Sequence, residues 1–189
     1  YRNLTYKDLS ELNAEPQVSE IYVEGDIPFV TADDMSLILV DTPGPNNART
    51  EEHKKTTYHM LKESSKTLVM YVMNATQQST TDDAKFLKDI SESMKVGGKQ
   101  SRDRFIFVLN KVDSFTQGED NVEESIIKIK EYLKEYGIEN PNVYPASALS
   151  ALEIRTILAN KDNADEEKIY DAKGSLSKLN RNEEMHLEK

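Results

Sequence analysis

Three short strings of polar and small residues could carry chemistry, and each follows an apolar run. They are DTPG at 41–44, NKVD at 110–113 and the small-residue turn PASA at 145–148. In a doubly wound α/β sheet, ligands bind at the carboxyl ends of the strands. We therefore expect the site to lie where Asp41, Asn110 and Ser147 emerge from their strands.

The DTPG string has two interpretations. The Asp41 carboxylate could hold a magnesium ion through water, and the Gly44 backbone N–H could contact a terminal phosphate, with Thr42 between them. The same string also suits a plain turn at the end of a strand, because proline presets one turn position and glycine permits unusual dihedral angles. The string alone does not separate the two.

The NKVD string predicts a binding site that distinguishes guanine from adenine. The Asp113 carboxylate could accept hydrogen bonds from N1–H and from the 2-amino group of guanine, and adenine has no donors at those positions. Asn110 would brace the loop and reach the other edge of the base, while the stem of Lys111 would lie over the ring. The alternative is a polar junction between a strand and a loop, with no ligand.

The turn after Pro145 is the weakest of the three signals. Small residues at Ser147 and Ala148 would let backbone amides approach the base and donate to guanine O6. The order of the three strings, each after its own predicted strand, favours a nucleotide site over three unrelated turns.

Apolar runs predict the elements that position these strings. Buried-strand patterns cover residues 36–41, 67–74, 104–110 and 142–146, and a weaker strand pattern covers 19–25. Helical patterns cover 4–14, 51–64, 82–94, 122–136 and 150–159, with N-cap candidates at 79–81 and Gly137 as a C-cap. The alternation predicts an α/β fold, a mostly parallel sheet with helices on both faces.

Composition excludes several classes of protein. The 189 residues contain 34 acidic and 24 basic side chains, for a net charge of -10, so we expect no nucleic-acid partner. There are no cysteines, which excludes disulfides and thiolate metal sites. No run reaches the roughly 20 apolar residues of a spanning helix. We expect a cytoplasmic protein.

The three strings resemble the third, fourth and fifth guanine-binding elements of the GTPase superfamily. Within it, LILVDTPGPNN at 37–47 and TLVMYVMNAT at 67–76 are similar to bacterial members of the dynamin family. The resemblance implies GTP and GDP binding, with Asp41 toward Mg²⁺ and Gly44 toward the γ-phosphate. It also implies GTP hydrolysis coupled to self-assembly into a homo-oligomer, often peripherally at membranes.

One element of that superfamily is missing from the printed sequence. It contains no G-x-x-x-x-G-K-[ST] string, the loop that grips phosphates, and we expect this P-loop to precede Tyr1. We therefore predict a GTPase domain truncated at its N-terminus over 1–160 and a charged extension over 161–189. The isolated chain should be inactive, and its catalytic residues stay unassigned.

The missing P-loop strand would lie between the 36–41 and 67–74 strands, so the sheet should lose its middle. Either those two strands pair directly or a second copy of the chain fills the gap. Two other functions also fit the strings: a translation- or ribosome-associated GTPase, and a scaffold that keeps the GTPase fold without hydrolysis.

Overall fold

The chain folds into two units, Tyr1–Asp41 and Thr42–Lys189. The structure, a computed structural model, describes residues 5–18, 21–25, 37–42, 68–77, 83–96, 103–116, 118–159 and 165–181. The predicted helix over 51–64 and the predicted N-cap at 79–81 lie outside these residues.

The first unit contains one helix among its described residues. Helix α1 spans Tyr6–Ala14, close to the predicted 4–14. Thr5 caps it: the Thr5 hydroxyl accepts from the Asp8 amide at 3.2 Å, and the Asp8 carboxylate accepts from the Thr5 amide at 2.7 Å. This reciprocal pair satisfies two amides at the start of the helix.

Two predicted strands of this unit are corrected by the structure. Residues 21–25 and 37–41 carry no strand pairing, so the predictions over 19–25 and 36–41 were wrong for their described parts. The side chains of Ile38 and Leu39 are 80% and 76% exposed, so neither face of the second segment is packed. An apolar run gives a strand only where a neighbouring strand pairs with its backbone groups.

The second unit is built on a parallel sheet of three strands. Strands β1 (Val69–Asn74), β2 (Phe105–Asn110) and β3 (Asn142–Ala146) lie in the order β1-β2-β3. Their register pairs Asn74 with Asn110 and Asn110 with Ala146. The predicted parallel α/β fold is confirmed, and its three strands begin and end within two residues of the predicted positions.

In this unit a helix follows each of the three strands, and one further helix comes after them. Helix α2 spans Asp83–Val96, α3 spans Val122–Glu135, α4 spans Ala148–Ala159 and α5 spans Glu166–Arg181. Gly137 ends α3 with a φ of 81°, and its amide donates to the Lys134 carbonyl, which confirms the predicted C-cap. Helix α5 packs against α4 and continues through Gly174. None of the described helices is long and apolar enough to cross a bilayer.

One face of the sheet carries the core. Phe105, Phe107 and Leu109 of β2 are almost fully buried on this face, together with apolar side chains of α2 and α3. Tyr71 of β1 joins them, with its ring centroid 5.6 Å from that of Phe86 on α2. Because side chains alternate along a strand, this face takes every second residue of β2.

The opposite face of the sheet is open at several described positions. Met70 and Val72 of β1 and Tyr144 of β3 lie on it, and each is more than half exposed. Apolar residues on both sides of a strand predict burial on both sides, and the described core cluster lies on one of them.

Candidate functional site

The candidate site forms at the edge where the three parallel strands end. Asn74, Asn110 and Ala146 are in register, so the segments that follow them start side by side. NKVD follows β2, and Ser147 and Ala148 follow β3. This is the arrangement expected for a ligand site at the carboxyl ends of parallel strands.

The NKVD string forms a tight loop with an unusual backbone. Lys111 adopts the left-handed conformation, with φ 70° and ψ 31°, and its side chain is exposed. Residues Val112–Ser114 then form one turn of 3₁₀ helix, in which the Ser114 amide donates to the Lys111 carbonyl. A left-handed residue other than glycine stores strain and is often found at functional sites.

Two buried side chains fix this loop to the core. Val112 is 5% exposed and Phe115 is 4% exposed, and both belong to the core cluster. Asp113 lies between them and is only partly exposed. The loop therefore presents the Asp113 carboxylate from a backbone anchored on both sides.

A hydrogen bond joins the NKVD string to the turn after β3. The Ala148 backbone amide donates to the Asn110 side-chain oxygen at 3.0 Å, across 38 positions of sequence. Ala148 is the first residue of α4, and the first amides of a helix have no partner within the helix. Asn110 therefore caps α4 from the neighbouring strand end and ties the two loops together.

Ser147 contributes a buried hydroxyl at this junction. Its backbone carbonyl accepts from the Ala151 amide at 2.9 Å, which starts α4. Its Oγ is buried without a hydrogen-bond partner among the residues that the structure describes. A buried polar atom of this kind is costly unless a ligand or water satisfies it.

The structure describes the residues predicted to contact phosphate and magnesium less completely than those predicted to contact the base. Asp41 is exposed and belongs to the first unit, Thr42 is partly exposed and belongs to the second, and Gly44 lies outside the described residues. The structure brings Asn110 and Ala148 into contact, with Lys111 and Asp113 following Asn110 and Ser147 preceding Ala148. That Asp41, Thr42 and Gly44 join them stays a prediction.

Sequence reasoning did not single out Asn74, which ends β1 in register with Asn110. Its side-chain oxygen accepts from the Thr76 amide at 3.1 Å and from the Thr76 hydroxyl at 2.9 Å. These bonds close the turn after β1. The signal that could have identified it is an asparagine at the end of an apolar strand, the same pattern that pointed to Asn110.

Comparison with known proteins gives two matches. The family model described as 50S ribosome-binding GTPase matches residues 3–111. The chain is also 28% identical over 173 residues to the probable transmembrane GTPase FZO-like, chloroplastic, of Arabidopsis thaliana. That alignment covers 89% of this chain and 17% of the relative, so the chain spans a small part of the relative's length. No solved structure matches the chain significantly.

Proposed function

Because the chain belongs to the 50S ribosome-binding GTPase family, we propose that it carries the guanine-reading half of a domain that binds GTP and GDP and hydrolyses GTP. The observation that carries the proposal is the hydrogen bond from the Ala148 amide to Asn110. It holds the two loops that would surround a base in one fixed arrangement. Preorganised contacts of this kind lower the cost of ordering a site around its ligand.

The base contacts follow from the positions of the loop residues. Asp113 would accept from guanine N1–H and from the 2-amino group, and the exposed stem of Lys111 would cover the ring. We predicted that the backbone amides of Ser147 and Ala148 contact guanine O6. The Ala148 amide already donates to Asn110, so the Ser147 amide is the first candidate for this contact. Adenine offers no matching donors to Asp113, so ATP should bind poorly.

The phosphate side is assigned by resemblance. Asp41 would hold Mg²⁺ through water and Gly44 would contact the γ-phosphate, with Thr42 beside them. A single exposed carboxylate fits this role, since Mg²⁺ in nucleotide sites is held by one or two carboxylates with waters and phosphates. The metal would neutralise phosphate charge during hydrolysis.

For the cellular role we propose a dynamin-like GTPase that assembles into a homo-oligomer at the periphery of a membrane, in the cytoplasm of a bacterial cell. The resemblance at 37–47 and 67–76 supports this, as does the relative named a transmembrane GTPase. The domain would then cover 1–160, followed by the charged extension over 161–189.

A ribosome-associated GTPase is the second candidate, and the printed name of the matching family favours it. The net charge of -10 weighs against it, because an acidic surface is repelled by ribosomal RNA unless a local basic patch overrides the charge of the whole chain.

Competition binding on the complete protein tests the nucleotide proposal. We expect GTP and GDP to displace a fluorescent guanine nucleotide at far lower concentration than ATP does. Equal affinity for ATP and GTP would refute the proposal. Co-sedimentation with vesicles that contain anionic lipid, compared with co-sedimentation with 50S subunits, separates the two cellular roles.

A further inference from the structure

We infer that Asp120 is a positioning residue for guanine recognition, because it closes the loop that presents Asp113. This inference rests on the proposed function. Asp120 lies outside the NKVD string and follows Asp113 by seven positions. Its carboxylate acts on the backbone of the loop and not on the base.

The loop closes through three hydrogen bonds between Thr116 and the residues after it. The Thr116 amide donates to the Asp120 carboxylate at 2.8 Å. In return, the Thr116 carbonyl accepts from the Glu119 amide at 3.1 Å and from the Asp120 amide at 3.0 Å. Of these, the bond to the carboxylate is charge-assisted, and it is the one that depends on the identity of a side chain.

Packing holds one end of this loop but not the other. Phe115 is 4% exposed and anchors the end next to Asp113. Beyond it, a cavity of about 350 Å³ is lined by Phe115, Asp120 and side chains of β1's turn and α3. Gly118, at φ 82°, has nothing within 4 Å of the position where a Cβ would stand. The described contacts that close the turn are the hydrogen bonds to Thr116.

The start of α3 meets the same turn. Asn121 follows Asp120 directly and caps α3, accepting from the Glu124 amide at 3.0 Å. Asp120 thus joins the end of the NKVD loop to the first residues of a helix that is packed in the core. This bond therefore adds a second restraint beyond Phe115, on the side of Asp113 where packing ends.

The test measures base discrimination, which a purely structural role would not change. GDP and IDP differ only in the 2-amino group that Asp113 would accept from, so their affinity ratio reports the placement of Asp113. In the complete protein we expect Asp120→Ala to reduce the GDP-to-IDP affinity ratio by about threefold to tenfold, the loss typical of one weakened hydrogen bond. Asp120→Asn keeps an oxygen acceptor for the Thr116 amide and should restore most of the ratio.

Glu119→Ala is the matched control, since it removes the same charge from the same turn while the Asp120 carboxylate stays. We expect it to leave the ratio unchanged. An equal loss of GDP and IDP affinity in Asp120→Ala, or the same loss of ratio in Glu119→Ala, would overturn the inference alone. A wild-type protein that binds neither nucleotide would refute the proposed function itself.

Should Asp120→Ala prevent folding, Asp120→Glu decides the question. It keeps the charge and moves the carboxylate by one methylene group away from its place beside the Thr116 amide. A reduced ratio in this variant supports the inference, and an unchanged ratio overturns it.

Discussion

Replacing Asn110 by alanine separates the two roles that the structure gives this side chain. It caps α4 through the 3.0 Å bond from the Ala148 amide, and it stands at the edge of the proposed base site. Losing a side-chain cap costs about 0.5–2 kcal/mol of stability, and a single neutral hydrogen bond is worth about 0.5–1.5 kcal/mol. We therefore expect Asn110→Ala to lower the free energy of unfolding by about 1 kcal/mol.

The effect on nucleotide binding should be larger than the effect on stability. The alanine removes the amide that would contact the base and also loosens the tie between the two loops. Two such losses together correspond to roughly tenfold to a hundredfold weaker GDP binding. Urea unfolding and fluorescence titration with a guanine nucleotide, on the same preparations, give both quantities.

Two further variants make this prediction refutable. Asn110→Asp keeps an oxygen that can accept from Ala148, so it should retain stability while GDP binding still weakens, since its amide donor is lost. Asn74→Ala is the matched control, because Asn74 stands in register with Asn110 while its described side-chain hydrogen bonds lie within its own turn. It should lose stability without losing affinity. If Asn74→Ala weakened GDP binding as much as Asn110→Ala, the bond between Asn110 and Ala148 would not explain the loss of GDP affinity.

Three other predictions follow from the same sheet edge and its core. Asp113→Asn should shift preference from guanine toward xanthine nucleotides, and discrimination should fall by on the order of 2–3 kcal/mol, measured by competition with XDP. Phe107→Ala removes a fully buried ring and should cost about 3–5 kcal/mol in urea unfolding, whereas Val108→Ala, on the open face, should cost far less. Gly137→Ala places a side chain at φ 81° and should cost about 1 kcal/mol, which thermal melting would detect as a lower Tm.

The sequence predicted well where local pattern and tertiary packing agree. The strands that end in Asn74, Asn110 and Ala146 are apolar and stand next to one another, so each finds a partner for its backbone. The Gly137 cap was predictable because the left-handed conformation at the end of a helix favours glycine over other residues.

The predictions failed where the outcome depends on a distant partner. Residues 37–40 are as apolar as β2, yet they are exposed and unpaired among the described residues. Whether β1 gains a neighbour at its other edge, from this chain or from a second copy, stays a prediction. The contact between Asn110 and Ala148 spans 38 positions, and no local pattern could have revealed it. Asp120 was missed because it bonds to the backbone amide of Thr116. Every residue except proline has such an amide, so the sequence does not mark the partner.

Several of the most deeply buried side chains lie in the elements that carry the proposed base site. β2, α3 and β3 follow one another in sequence and contain Phe105, Phe107, Leu109, Ile129 and Leu133, all of which are at most 1% exposed. Elements that share one buried core tend to open together as a cooperative unit. The NKVD loop begins and ends within this unit, and the turn with Ser147 begins at its last strand. Local unfolding that spares this unit and the first turn of α4 would therefore leave the two loops joined through the Asn110 side chain.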